Sequence, residues 1–285
     1  MNSIHQTIIE LLETRYARIN GEAFIKDDPV SIPHLFTKKE DIEIAGFLAA
    51  TISWGNRKMI IRNSRQLMNL MDDAPFDFIL NVGQKDFNRF SDFCHRTFNG
   101  TDAVYFMKSL RNIYKNHGGL EPCFCSNASS PLIPLQRGTI LSIKSPPKGG
   151  HKRNLQNKIF YSINHFRNIF LELPHEKRTE KHISSPALNS ACKRLNMFLR
   201  WMVRKDRHGI DFGIWKSIKP YELVCPLDVH SARSARYLGL LKRKQNDWHA
   251  AVELTEALKK FDPDDPVKYD VALFGLDKEA KNTRK

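Results

Sequence analysis

At 285 residues, with 41% hydrophobic and 27% charged side chains, the chain has the composition of an ordinary globular protein and can bury one large core or two smaller ones. No apolar run approaches the roughly 20 residues that a bilayer-spanning helix needs, which excludes a membrane-spanning helical class. Lysine and arginine outnumber aspartate and glutamate 45 to 31, a formal net charge of +14; such an excess points to a polyanionic partner, most simply nucleic acid, because cations that neutralise phosphates release condensed counterions.

Taken in chain order, the pattern is helical almost throughout. Met1 to Leu12 has no basic leader, long apolar core or small-residue cleavage site, so the expected location is the cytoplasm, with the nucleoid as the site of action if the partner is DNA. A first helix is expected over Ser3 to Ile19, with Ile4, Ile8, Leu11, Leu12 and Ile19 on one face. Thr37-Lys38-Lys39-Glu40 has the form of a capping box and opens Ile42 to Ile52, which reads as a helix buried nearly all round. Ser53-Trp54-Gly55-Asn56 breaks it, and a basic helix is expected from Arg57 to Met71. Further helices are predicted at Asp102–Tyr114, Gln156–Leu171, Asn189–Arg204, Val229–Leu241, Asp247–Lys260 and Pro266–Phe274. Between them, Cys123 to Lys152 is rich in Ser, Pro, Gly and Lys and reads as a surface loop insertion spanning about residues 123–155.

The five cysteines, Cys94, Cys123, Cys125, Cys192 and Cys225, are odd in number and irregular in spacing, which fits a reducing compartment rather than a disulfide framework. Cys123-x-Cys125 has no second pair to complete a zinc site, and no four-cysteine cluster stands near the C-terminus to hold an iron–sulfur centre. No metal or organic cofactor is expected.

Two segments carry the chemistry. Lys177 to Arg207 is the most basic stretch, and its central helix has two faces: Leu195, Phe198, Leu199 and Met202 form an apolar stripe, while Lys193, Arg200 and Arg204 fall together opposite. That second face is either a solvated surface or a contact for phosphates. Ser184 to Ser190 leads into the helix start, where backbone N–H groups favour an anion. A lysine beside that positive end and beside Arg194 has its ammonium form disfavoured, which suits an amine nucleophile. Pro226 sets an extended approach to Asp228, which stands thirty-five residues beyond Lys193 and is placed to cap the next helix. Asp228 is then a plain cap, or a cap that also stabilises a developing oxocarbenium ion or takes a proton.

Lys193-Arg-Leu-Asn-Met-Phe-Leu-Arg200, followed by Pro226-Leu-Asp228-Val-His230 with Arg233, Arg236 and Leu238-Gly239-Leu240, resembles the core of the helix-hairpin-helix DNA glycosylases. The likeness is nearest to the 8-oxoguanine branches that combine base removal with strand cleavage. It is firm over residues 186–276 and weaker over Ile42 to Met71. Across most of its length the chain also resembles a bacterial family of uncharacterised proteins with the signature Lys-Arg-Leu-Asn-Met-Phe-Leu-Arg-Trp-Met-Val-Arg, which brings no activity with it.

The glycosylase resemblance implies an all-α, two-lobed fold, with lobes at about residues 1–122 and 156–276. It implies Lys193 and Asp228 as the catalytic pair of a glycosylase with lyase activity, acting as a monomer on damaged double-stranded DNA. Ser190, Arg194, Arg200, Arg204, His230 and Arg233 would contact DNA. Trp54, Asn56 or Arg57 would fill the gap left by a flipped nucleotide, although Trp54 also reads as a core residue. In two respects the sequence departs from that pattern. Ser185 to Ser190 holds none of the glycines the family uses to bring amides to a phosphate, and Lys205 to Trp215 lengthens the interval between lysine and aspartate. The added piece reads as a loop over the pocket, with Phe212 and Trp215 either stacking on a base or simply buried. A nucleic-acid-binding protein that keeps the fold but has lost or changed the chemistry, non-catalytic or directed to RNA, is the competing expectation.

Overall fold

A computed structural model describes residues 3–19, 21–125 and 154–282. Of the predicted insertion at about residues 123–155, Ser126 to Arg153 lie outside the described residues. In chain order the helices are α1 (Ser3–Ala17), α2 (Gly21–Lys26), α3 (Lys39–Thr51), α4 (Arg57–Leu70) and α5 (Pro75–Asn81). The strands β1 (Cys94–His95) and β2 (Phe98–Asn99) follow, and then α6 (Gly100–Asn116), α7 (Leu120–Cys123), α8 (Asn154–Phe170), α9 (Lys193–Val203), α10 (Val229–Tyr237), α11 (Trp248–Leu258) and α12 (Asp270–Asn282). Among the described residues the fold is all-α apart from the antiparallel ribbon that pairs Cys94 with Asn99 and His95 with Phe98. Among the described residues, no helix is long and apolar enough to cross a membrane.

The chain forms two compact units, one of Met1–Phe24 with Leu188–Lys285 and one of Ile25–Ala187. This division differs from the expected lobes at 1–122 and 156–276, and packing explains the difference. Helix α1 joins the C-terminal unit because Glu13 accepts a hydrogen bond from the Tyr269 hydroxyl at 2.5 Å and pairs with Lys268 at 2.9 Å. Helix α8 joins the other unit because the Tyr105 and Ser109 hydroxyls of α6 both donate to the Phe170 carbonyl at 2.7 Å.

In the Ile25–Ala187 unit, α3 is buried at every position from Ile42 to Thr51. Thr37 does not cap it; Lys38 occupies the cap position without a side-chain bond. Asp41 in the first turn of α3 instead accepts the Phe76 N–H at 2.8 Å, satisfying the start of α5. The buried Glu43 is matched by the Tyr114 hydroxyl, which donates to it at 2.8 Å, and by Lys39 at 3.4 Å. Around α3, the rings of Phe47, Phe106, Phe166 and Phe170 lie 4.7–5.9 Å apart. All four are fully buried, each contributing roughly 1.5–3 kcal/mol of transfer free energy.

In the other unit, α10 packs on α12 and α1 on α12. Helix α10 stops at Tyr237, four residues short of expectation. Gly239 takes φ +71°, and the Leu240 N–H turns back to the Ala235 carbonyl at 2.8 Å, a glycine-terminated helix end.

Candidate active site

Helix α9 begins at Lys193 rather than at Asn189 because the preceding turn is not helical. Asn189 and Cys192 have φ of 60° and 49°, the left-handed region that glycine usually occupies. The turn is fastened from both sides. Ser190 Oγ accepts the Cys192 N–H at 3.2 Å, and Asn189 Nδ2 donates to Asp247 Oδ2 at 3.2 Å. Asp247 caps α11 and is itself gripped by Arg243 at 2.7 Å. The turn therefore reaches glycine-type backbone angles without glycine, and it leaves Lys193 as the first residue of its helix with a side chain about one-third exposed.

Asp228 caps α10 with one oxygen. Its Oδ1 accepts the N–H groups of His230 and Ser231, each at 2.8 Å. Its Oδ2 stands 3.6 Å from Lys193 Nζ. The cap and the partner of Lys193 are thus one carboxylate, with an oxygen for each task, and both side chains remain accessible to a ligand.

Behind this pair lies a buried ionic network. Arg200 Nη1 donates to Asp270 Oδ2 at 2.6 Å, and its Nε to Asp211 Oδ1 at 3.3 Å. Arg204 donates to Asp211 and, through Nε and Nη2, to Asp265 at 2.7 and 2.8 Å. Arg200 is 4% exposed and Arg204 1%. The expectation that both contact DNA is therefore corrected: their charges are held inside by carboxylates, the arrangement that makes burial of a guanidinium tolerable. Burial pushes the Asp270 carboxyl up to about 6, with Asp228 acting in the same direction and Arg200 and Lys193 opposing it.

Arg200 and Arg204 are dry because the segment after α9 folds back. The Phe212 N–H donates to the Trp201 carbonyl at 2.8 Å and the Trp215 N–H to that of Met202 at 2.9 Å. Asp206 organises the turn, accepting the N–H groups of His208, Ile210 and Asp211 at 2.8–3.2 Å. Lys205 to Trp215 thereby closes the C-terminal end of α9, roughly 15 Å along the helix from Lys193 at 1.5 Å per residue. It is not a loop over Lys193. Trp215 is 1% exposed and meets Phe198 edge-on at 5.3 Å, so it does not offer a face to a base. Phe212 is half-buried at the same distant end.

The remaining expected contacts are distributed. Ser190 serves the turn before α9, while Arg194 is partly buried. His230 meets the Phe274 ring edge-on at 5.5 Å, and Arg233 is exposed one turn further along α10.

In the Ile25–Ala187 unit, Trp54 is half-buried rather than core, held edge-on to His95 at 4.9 Å and stacked near His182 at 5.9 Å. The His95 ring is fixed by Asn63, which donates to Nδ1 at 3.0 Å, so that Nε2 donates to the Trp54 carbonyl at 3.1 Å. His182 in turn lies 3.2 Å from Asp102. Burial alone would raise the Asp102 carboxyl, but hydrogen bonds from His182, Thr179 and the Asn99 N–H outweigh it and bring it down to about 2. Gly55 has φ +102° and an Arg96 guanidinium nitrogen 3.0 Å from where a Cβ would stand. Asn56 accepts the Met59 N–H at 3.2 Å as the cap of α4, and Arg57 pairs with Asp28 at 3.3 Å. The thiols of Cys123 and Cys125 each donate to a backbone carbonyl four residues earlier, at 3.2 Å.

Neither Asp270 nor Ser231 was visible as a site residue in the sequence. Asp270 follows Tyr269 at the start of α12 without a motif around it, and only tertiary packing brings it to α9 and α10.

Residues 28–279 match the profile of a protein family described as protein of unknown function (DUF2400), and the chain belongs to that family. No curated protein and no solved structure matches the chain.

Proposed function

We propose that this DUF2400 protein is a DNA glycosylase with associated lyase activity, built on a helix-hairpin-helix glycosylase-like core and acting through Lys193 and Asp228. The observation that carries the reading is the approach of Lys193 Nζ to Asp228 Oδ2 at 3.6 Å, at the facing starts of two helices. An amine nucleophile needs a neighbour to receive its proton and to balance charge on the sugar. Asp228 is restrained by its two backbone bonds, and a small rotation of the Lys193 side chain closes the 3.6 Å gap to hydrogen-bond reach.

In the proposed reaction Lys193 gives up a proton and its lone pair attacks C1′ of the damaged nucleotide. The C1′–N bond breaks, and the base leaves with the bonding electrons and is protonated. The ring C1′–O4′ bond then opens to give the Schiff base between Lys193 and C1′. Loss of a proton from C2′ expels the 3′ phosphate by β-elimination, and water releases the lysine. Asp228 balances the positive charge that develops on the sugar. The net charge of +14 supports a polyanionic substrate, and the nature of the lesion is left to experiment.

Borohydride trapping on duplexes carrying an abasic site or 8-oxoguanine tests the reading. Wild type should form a covalent adduct and Lys193→Gln none, with DNA affinity in the variant within a few-fold of wild type. Asp228→Asn should slow adduct formation by about 10²–10⁴-fold, the usual worth of a positioned acid–base group. Absence of an adduct on these and a wider panel of lesions, with nucleic-acid binding intact, would replace the enzyme with a binding protein and turn attention to RNA.

A further inference from the structure

Asp270 begins α12 and takes no part in the chemistry proposed above, yet both of its oxygens are committed to the two helices that carry Lys193 and Asp228. Its Oδ2 accepts from Arg200 of α9 at 2.6 Å, and its Oδ1 accepts from Ser231 Oγ of α10 at 3.3 Å. Ser231 is in the first turn of α10, and its own N–H is one of the two that hold Asp228 Oδ1 at 2.8 Å. Arg200 lies two turns beyond Lys193 on the same helix and is tied on its other side to Asp211. A continuous path therefore runs from Asp270 through Ser231 to Asp228 and Lys193, and a second branch returns to the lysine's own helix through Arg200.

This arrangement is more than packing requires. A serine and an arginine on two neighbouring helices share one nearly buried carboxylate, and an apolar contact would join the helices without burying charge. What the carboxylate adds is direction: it fixes the rotation of the first turn of α10 relative to α9. The separation between Lys193 Nζ and Asp228 Oδ2 depends on that rotation.

We infer that Asp270 is the positioning residue of the Lys193–Asp228 pair, holding α9 and α10 in register through Arg200 and Ser231 and placing a second negative charge behind the pair. Lys193, Asp228, Arg200 and Cys225 are the titratable groups that interact with it electrostatically, from α9 and from the lead into α10. Its effect on turnover rests on the glycosylase reading; its effects on the order of α10 and on the reactivity of the Lys193 amine do not.

Two variants, Ser231→Ala and Asp270→Asn, test the inference in the full-length protein by two readouts that need no substrate. Hydrogen exchange at the His230 and Ser231 amides should accelerate about tenfold in both, relative to the amides of α11, the factor that one net hydrogen bond is worth. Acetylation of Lys193 by acetic anhydride at fixed pH, followed by peptide mass spectrometry, should run about threefold faster in both variants, the worth of a partly exposed ion pair once its geometry loosens. Unchanged exchange in Ser231→Ala overturns the inference, even if Asp270→Asn fails to fold. So does an unchanged acetylation rate in a folded Asp270→Asn. Where wild type yields a trapped adduct, Asp270→Asn should slow single-turnover trapping about tenfold at constant DNA affinity. A wild type that never traps would defeat the glycosylase reading and leave the exchange and acetylation results to decide this one.

Discussion

Two buried aspartates show how one residue type takes opposite roles in different surroundings. Asp102 gathers His182, Thr179 and a backbone N–H, and its pKa falls to about 2. Asp270 is so deeply desolvated that even Arg200 leaves it at about 6. Their linkage to folding has opposite signs. The depressed Asp102 contributes stability that is complete above its ordinary value of 3.8 and is lost as pH falls from there toward about 2. The raised Asp270 favours the folded state most at low pH, and that advantage declines as pH rises from 3.8 to about 6. Asp102→Asn should accordingly destabilise the Ile25–Ala187 unit by about 2 kcal/mol at neutral pH, with the deficit closing as pH drops toward 2. Urea unfolding of wild type and variant across pH measures this directly, and a deficit that persists at low pH would assign the cost to lost shape rather than lost charge.

Among the elements, helices with a regular apolar repeat were readable to within a few residues. The expected Arg57–Met71 is observed as Arg57–Leu70, and Gln156–Leu171 as Asn154–Phe170. The misplaced boundaries are those set by backbone angle rather than by hydrophobic period. Asn189 and Cys192 at positive φ delay α9, and Gly239 ends α10 early. Helix α5 and the β1–β2 ribbon were missed because seven and two residues are too few to show a period. Within the candidate site, Asp228 was legible as a helix cap from its local signature, whereas Lys193 was singled out through the glycosylase resemblance, with its helix start expected four residues earlier. Arg200 and Arg204 were misassigned because an amphipathic pattern shows that a helix has two faces and is silent on whether the polar one is wet. Gly239→Ala should cost about 1 kcal/mol. Nothing lies within 4 Å of the added methyl, so the loss would be one of backbone conformation alone. Thermal unfolding compared with an exposed alanine substitution elsewhere on α10 would check it; no loss would mean that the helix end rearranges freely.

Across the whole molecule, charge and connectivity matter more than any single contact. With a net charge of +14, duplex affinity should fall linearly with salt on a double-logarithmic plot, with a slope of about −0.9 per phosphate contacted. An affinity indifferent to salt would remove nucleic acid as the partner. The two units also differ in how the chain builds them. Ile25–Ala187 is continuous, whereas its companion joins Met1–Phe24 to Leu188–Lys285. During synthesis from the N-terminus, the continuous unit has all its residues in hand once Ala187 has emerged, and domains tend to fold as units in that order. Helix α1 must wait for Lys268, Tyr269 and α12, all made long after it. The Lys193–Asp228 pair belongs to that later unit, so a ribosome stalled before α12 should carry a chain whose Ile25–Ala187 unit is folded while α9 and α10 still lack the Asp270 carboxylate that ties them together.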